Sequence, residues 1–324
     1  MEITMLKLYK EKDRDLVILN LTDPQLDNDE WKTDAGQILC YTVEELIHRT
    51  NPDLITVTGD LAWQSQMESY DKFGQLMEKC GVPWTFVLGN HDNEGGADHS
   101  REICNVVSRH GGCLFEHGDA EMGCGNFVIL AEEDGKPAVG LIFMDSHIAH
   151  FYDVDGVEYE RDDGMNETQL RWYREQVEAL EKLGCHHSAV FIHIPVPEFM
   201  TAYNEALAVP ADTLTIEKSY DPDSWNEPYK DSFGIRLENN NIVGPDDGFF
   251  DLICELGHTK ALICGHEHIN CAVIKYKGVS LVFGLKAGRG CYWRPEMNGG
   301  TVITANAEGI KEIRHEFVEA THFW

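Results

Sequence analysis

The sequence predicts an α/β fold in which parallel or mixed β-sheets are covered by helices, and three observations carry that reading. Short β-rich apolar runs alternate with longer helical patterns in a βαβαβ order from Leu16 to Leu88. Hydrophobic residues make up 43% of the 324-residue chain, enough for a sizeable core. No internal repeat or compositional break marks a second domain, although at about 150 residues per domain the length would allow two. Residues 1–324 therefore read as one domain.

The elements follow in order. Leu16–Leu21 is a buried strand: continuous, apolar and ended by Asp23-Pro24. Thr42–Arg49 reads as a helix, with Thr42 as N-cap and Glu45 three residues on. Leu54–Thr58 is the second strand, Ser69–Lys79 a helix stopped by Gly81 and Pro83, and Trp84–Leu88 the third strand. Further strands are expected at Phe127–Leu130, Val139–Met144, Ala189–Ile194, Ala261–Cys264, Ala272–Tyr276, Val279–Phe283 and Thr301–Ala305. In Glu167–Leu183, Leu170, Tyr173, Val177 and Leu180 recur three or four apart and predict an amphipathic helix. Periodicity fades from Pro195 to Asp247, and a stretch of this length is more often a substrate loop or lid than a linker. Its aromatics Trp225, Tyr229 and Phe233 read first as packing residues and second as pocket walls.

Charge narrows the function classes. With 26 Lys+Arg against 56 Asp+Glu, the net charge of −30 opposes binding to nucleic-acid phosphates. Acidic clusters such as Glu132-Glu133-Asp134 read as a solvated face. Asp153-Val154-Asp155-Gly156 lacks the remaining ligands of a calcium loop. No apolar stretch reaches the roughly 18–20 residues that span a bilayer, and Met1–Leu16 carries no signal-peptide pattern. A cytoplasmic protein without a membrane partner is expected. The ten cysteines form no CxxC pair, too sparse for a zinc ribbon, and read as reduced core residues without a function.

The strand ends carry the chemistry. The first strand runs into Asp23-Pro24-Gln25, the second into Gly59-Asp60, the third into Gly89-Asn90-His91-Asp92. Later come His193 after Phe191-Ile192, and Gly265-His266-Glu267-His268. Open α/β sheets place their ligands at the carboxyl ends of strands, where the loops converge on one crevice. Each piece alone has a bland reading as a turn, an N-cap or a satisfied core histidine. All five in order, each with metal-ligating residue types, do not.

This series resembles the calcineurin-like metallophosphoesterase superfamily, whose signature is D-x-H, GD, GNH[DE], a lone His and GHxH. The resemblance runs from Leu16 to about Ile303. It is closest to the single-domain branch related to purple acid phosphatases, on the matches Phe143-Met144-Asp145-Ser146, Gln169-Leu170-Arg171-Trp172, Asp247-Gly248-Phe249-Phe250 and Asn270. The fold implied is a four-layer αββα sandwich, mixed β-sheets between helices, with residues 195–247 as a substrate or lid insertion. The resemblance implies two divalent or trivalent metal ions (manganese, iron or zinc). Asp23, Gln25 and His268 would hold one, Asn90, His193 and His266 the other, and Asp60 would bridge them.

A hydroxide shared by the ions would attack phosphorus in a small phosphorylated substrate, monoester or diester, while His91 assists the leaving group. Gln25 stands where most members have His; its harder carbonyl oxygen leans the first site toward manganese, iron or magnesium. Leu61-Ala62-Trp63 after Asp60 leave no tyrosinate ligand, so no purple colour is expected.

Other residues are weighed with less result. His147 and His150 read as solvated loop histidines, and Asp92 is only a loose candidate to orient His91. Lys286 and Arg289 are balanced between contacting a substrate phosphate and serving as loop charges. G-x-S-x-G and Walker loops are missing, which disfavours acyl transfer and nucleotide-driven motors. The alternatives retained are a non-catalytic scaffold on the same fold and, further back, a nuclease, which the lack of basic residues opposes.

Overall fold

The computed structural model describes residues 5–63, 67–154, 157–238 and 247–320. Asp155, Gly156 and residues 239–246 of the expected insertion lie outside the described residues. In chain order the elements are β1 (Leu6–Tyr9), β2 (Leu16–Leu21), α1 (Asp34–Thr50), β3 (Leu54–Thr58), α2 (Met67–Cys80), β4 (Trp84–Val87), α3 (Asn90–Asn93), α4 (Ala97–Ser108), β5 (Phe127–Glu133) and β6 (Lys136–Phe143). They continue with β7 (Ala149–Val154), β8 (Val157–Asp162), α5 (Glu167–Leu183), β9 (Ser188–Phe191), α6 (Glu198–Ala206), α7 (Ile216–Ser219) and α8 (Phe249–Leu256). Last come β10 (Thr259–Cys264), β11 (Val273–Tyr276), β12 (Val279–Phe283), β13 (Gly299–Asn306) and β14 (Gly309–Phe317).

Two mixed sheets form the centre, ordered β1-β5-β6-β9-β10-β12-β11 and β14-β13-β2-β3-β4, with β7 and β8 paired separately. In the smaller sheet β2, β3 and β4 are parallel, and β13 joins β2 antiparallel. In the larger, β6, β9, β10 and β12 are parallel; β5, which is parallel to β1, runs antiparallel to β6, and β11 runs antiparallel to β12.

Alternation along the strands produces the layers. Ile18 of β2 packs between the sheets with Leu54, Phe127, Phe143, Phe191 and Ile263, whereas Leu19 and Leu21 face α1, α2 and α4 through Leu39, Tyr70 and Ile103. Leu141 and Phe143 of β6 likewise point between the sheets, and Ile142 points outward to Tyr173, Leu180 and Phe249 of α5 and α8. The three cores separate four layers, helix–sheet–sheet–helix. Burial on both faces is also why the strands read as continuous apolar runs.

Two readings change. Helix α1 begins at Asp34 instead of Thr42, because the Thr33 hydroxyl accepts from the Ala35 amide at 3.2 Å and caps it. Thr42 lies inside the helix, buried, and accepts from Asn298 Nδ2 at 2.9 Å. Strands β1 and β14 close the sheet edges, where half-exposed, charged sequence hides the period. The described part of 195–247 folds as α6, α7 and short turns, and Trp225 is fully buried in one core cluster with Tyr203, Phe199 and Phe283, a packing residue as first read. Among the described residues no helix is long and apolar enough to cross a membrane.

Candidate metal centre

Asp23 and Gln25 follow β2, Asp60 follows β3, Asn90 opens α3 after β4, His193 follows β9, and His266 and His268 follow β10. Since β2–β4 belong to one sheet and β9 and β10 to the other, the residues meet where the carboxyl ends of both sheets converge. Asp23, Gln25, Asp60 and His266 all hold left-handed backbone, with φ of 52°, 42°, 51° and 76°. Side-chain-bearing residues adopt this region at a cost of order 1–3 kcal/mol each, and such strain persists only where the surroundings impose it. Here the loops are bonded to one another: the Asp23 amide donates to the Gly59 carbonyl at 3.2 Å and the Gln25 amide to the Asp60 carbonyl at 3.0 Å. Close approach explains the motif glycines. A Cβ on Gly89 would collide with the Asp60 carboxylate, and one on Gly265 with the Thr22 hydroxyl and the Asp23 carboxylate.

The donors converge. Asn90 Oδ1 lies 2.9 Å from His193 Nε2 and 3.0 Å from His266 Nδ1. His193 Nε2 is 3.5 Å from Asp60 Oδ1, and His268 Nε2 is 3.6 Å from Asp23 Oδ1. Gln25 Nε2 reaches Asp60 Oδ2 at 2.5 Å. His193 Nδ1 donates to the Thr58 carbonyl at 2.8 Å, and His268 Nδ1 to the Tyr292 carbonyl at 2.9 Å. Each bond fixes the tautomer that turns an Nε2 lone pair into the cluster.

The electrostatics call for a cation. Asp23 and Asp60 are no more than 1% exposed. Burial pushes the Asp60 carboxyl well above its ordinary range, with Asp92 and Asp23 adding to the rise and His91 opposing it. Burial holds His266 and His268 well below the usual imidazole value, so both are neutral and able to ligate. Gln25 Oε1 is buried without a hydrogen-bond partner, an acceptor still to be satisfied. Carboxylates, amide oxygens and neutral imidazoles form a donor set that suits first-row divalent cations, and the residues fit metal ions.

The calcineurin-like phosphoesterase family model matches residues 16–270. The chain belongs to that family. It is 25% identical over 275 residues to "Probable inactive purple acid phosphatase 14" of Arabidopsis thaliana, covering 76% of this chain and 61% of that protein. It is 28% identical over 244 residues to "Phosphatase DCR2" of Saccharomyces cerevisiae, covering 70% of this chain and 38% of the yeast protein. The chain thus spans less than two thirds of the length of these relatives. A dimetal phosphatase from Danio rerio shares the fold, with a TM-score of 0.56 at 11% identity over 93% of this chain and 98% of that one.

Around the centre of this calcineurin-like chain, the structure reassigns several side chains. His91 Nδ1 lies 2.6 Å from Glu94 Oε1, and its ring rests on Trp63 at 4.3 Å. Glu94, which sequence reasoning missed, therefore orients His91. Asp92 instead accepts from the Gly89 and Leu61 amides and the Tyr70 hydroxyl, tying the loop after β3 to the start of α3. Adjacent residues point apart, whereas i and i+3 share a face once the segment is helical.

Lys286 is buried and donates to the Asp23 carbonyl, and Arg289 pairs with Asp34 at 2.6 Å. His147 is no solvated loop residue: its Nε2 lies 2.7 Å from Gln169 Oε1. His150 falls on β7, where its side chain lies outside the described part of the structure.

The remaining matched motifs buttress the site. Ser146 Oγ accepts from the His193 and Ile194 amides at 3.3 and 2.9 Å. Asp145 accepts from Asn93 Nδ2 at 3.1 Å, Gln169 Nε2 donates to the Asp145 carbonyl at 2.7 Å, and Asn270 Oδ1 accepts from the Leu237 amide at 2.8 Å.

Proposed function

We propose that this chain is a dinuclear metal-dependent hydrolase of small phosphate esters. The observation that carries the proposal is the convergence of two carboxylates, two side-chain amides and three histidines from both sheets, with Gln25 Oε1 buried and unpartnered among them. Asp23, Gln25 and His268 would hold one ion, Asn90, His193 and His266 the other, and Asp60 both. Manganese, iron or zinc suits these donors, and the Gln25 carbonyl favours a hard ion in the first position. When bound, such a pair supplies Lewis-acid neutralisation of phosphoryl charge and a water acidic enough to serve as nucleophile near neutral pH.

The protein's own part centres on His91. Glu94 holds its Nδ1, so Nε2 is the nitrogen left to give a proton to the departing alkoxide. Trp63 packs against the ring, its plane tilted by 59°, and limits how far the ring can swing. The substrate is a small phosphorylated molecule, monoester or diester, because a chain of net charge −30 repels long polyanions while a cationic centre attracts a single phosphate.

A second reading, a non-catalytic scaffold, is favoured by the word "inactive" in the name of the plant relative. Against it stands the full set of donor side chains together with His91. The deciding experiment is hydrolysis of an aryl phosphate and a bis-aryl phosphate with manganese, iron, zinc or chelator. Metal-dependent turnover that Asp60→Asn reduces by more than about 100-fold supports the enzyme, a ligand being worth more than the 10–100-fold of a supporting residue. Absence of turnover with every metal supports the scaffold.

A further inference from the structure

A second cluster lies away from the strand ends. Cys104 on α4, His117 in the loop that follows and Cys124 just before β5 bring two thiols and an imidazole together, with all three donor atoms within 4.8 Å of one another. The sulfurs are 3.1 Å apart, and His117 Nδ1 lies 3.2 Å from Cys124 Sγ. His117 Nε2 is 3.1 Å from Asn105 Oδ1, an oxygen that can only accept. That bond puts the ring proton on Nε2 and leaves the Nδ1 lone pair facing the sulfurs, the orientation a metal-bound histidine needs. Cys104 is fully buried and Cys124 is 5% exposed.

We propose that Cys104, His117 and Cys124 form a separate, thiolate-bearing metal site that takes one zinc-type divalent cation. The proton balance is simple. The ion displaces one proton from each thiol to solvent, and two thiolates, a neutral imidazole and a dication sum to zero charge, as a buried site requires. Zinc–sulfur bonds of about 2.3 Å put tetrahedral sulfurs about 3.8 Å apart, so the pair opens by about 0.7 Å on binding. Water takes the fourth position. Cys124 also lines a cavity of about 330 Å³ with Ser100, Arg101 and Asp145, which gives the ion a way in.

The site has structural reach. The Cys124 amide donates to Asp145 Oδ2 at 2.8 Å, and Asp145 Oδ1 accepts from Asn93, the last residue of α3. An ion here braces the turn that presents Asn90 and His91. Thiolate donors set this site apart in kind from the nitrogen- and oxygen-lined centre and select softer ions.

The test is a cobalt(II) titration of the chelator-stripped chain, read by the thiolate-to-cobalt charge-transfer band. The band is expected to saturate at one equivalent. It should persist in Asp60→Asn and in Cys291→Ser, which removes the exposed cysteine, and vanish in Cys104→Ser/Cys124→Ser. Asn105→Ala leaves both sulfurs in place and should weaken cobalt binding about 10–100-fold by freeing His117, which decides the matter if the serine variant does not fold. The proposal is overturned by no band in the native chain, by a band that survives the serine variant or disappears with Cys291, by unchanged affinity in Asn105→Ala, or by a native mass two hydrogens short, which would mean a disulfide. Because the readout is sulfur-specific, its failure leaves the phosphoesterase reading standing, and the reverse.

Discussion

The two metal-ligand clusters of this chain are built on opposite principles. At the strand ends, donors are hard or borderline, arrive from five loops and are held by strained backbone at Asp23, Gln25, Asp60 and His266. Around Cys104 and Cys124, two of the three donors are soft, and they come from one helix and one loop with no left-handed residue among the three. The first cluster carries buried carboxylate charge that a cation must offset, and the second becomes neutral only after its thiols are deprotonated. Strain and uncompensated charge thus concentrate where chemistry is proposed, and a relaxed, neutral cluster marks a place where an ion would only brace the fold.

The largest effect that separates the two is expected from His91→Ala. The side chain belongs to the first cluster's chemistry and ligates nothing in either. Loss of a general acid costs about 10²–10⁴ in rate, and the deficit should shrink for aryl esters whose leaving groups need no proton. Metal content and the cobalt–thiolate band should stay unchanged. Equal deficits on good and poor leaving groups would remove His91 from the proton-donor role and leave it a charge stabiliser.

The same contrast explains what was legible in the sequence. Each donor of the first cluster lies within five residues of the end of a parallel strand, so local motifs sufficed to assemble it, and the matched blocks covered both sheets. The apolar strand runs pointed to helix-covered sheets, and the αββα layering came from the family resemblance. Glu94 was missed because its role exists only once Asn90–Asn93 turns as a helix; in extended chain adjacent residues point apart, which left Asp92 only a loose candidate. Thr42 was misread as a cap because its partner, Asn298, is 256 residues away. Cys104, His117 and Cys124 come from one helix and the loop after it at spacings that match no zinc motif, so only the packing of α4 against the approach to β5 brings them together.

A smaller effect is expected from Glu94→Gln. The substitution keeps the shape but weakens the bond to His91 Nδ1 and the orientation it enforces. About a 10-fold fall in kcat is expected, at the low end for residues that orient a working side chain, with KM nearly constant. Glu94→Ala should cost more, and partial recovery with Gln over Ala would mark a positioning residue. If both variants retain full rate, Trp63 alone holds the ring.

The smallest effect tests why burial alone does not make a histidine a ligand. His315 on β14 lies between Thr301 Oγ1 at 3.0 Å and the Cys271 carbonyl at 2.7 Å, so both nitrogens are occupied by protein. Burial pushes its value down to about 4, with the Cys271 carbonyl opposing. Between the unfolded value near 6.5 and about 4, the unfolded chain binds a proton that the folded chain refuses. Stability therefore falls as pH falls through that window and is flat in this respect above it. Urea titrations of the metal-loaded chain should show the decline, and His315→Asn should flatten it while lowering stability at pH 7. A variant with the same slope as the native chain would mean that His315 accepts a proton while folded. Its two protein partners would then not be what separates it from His268, whose Nδ1 is held by the Tyr292 carbonyl while its Nε2 faces the Asp23 carboxylate at 3.6 Å.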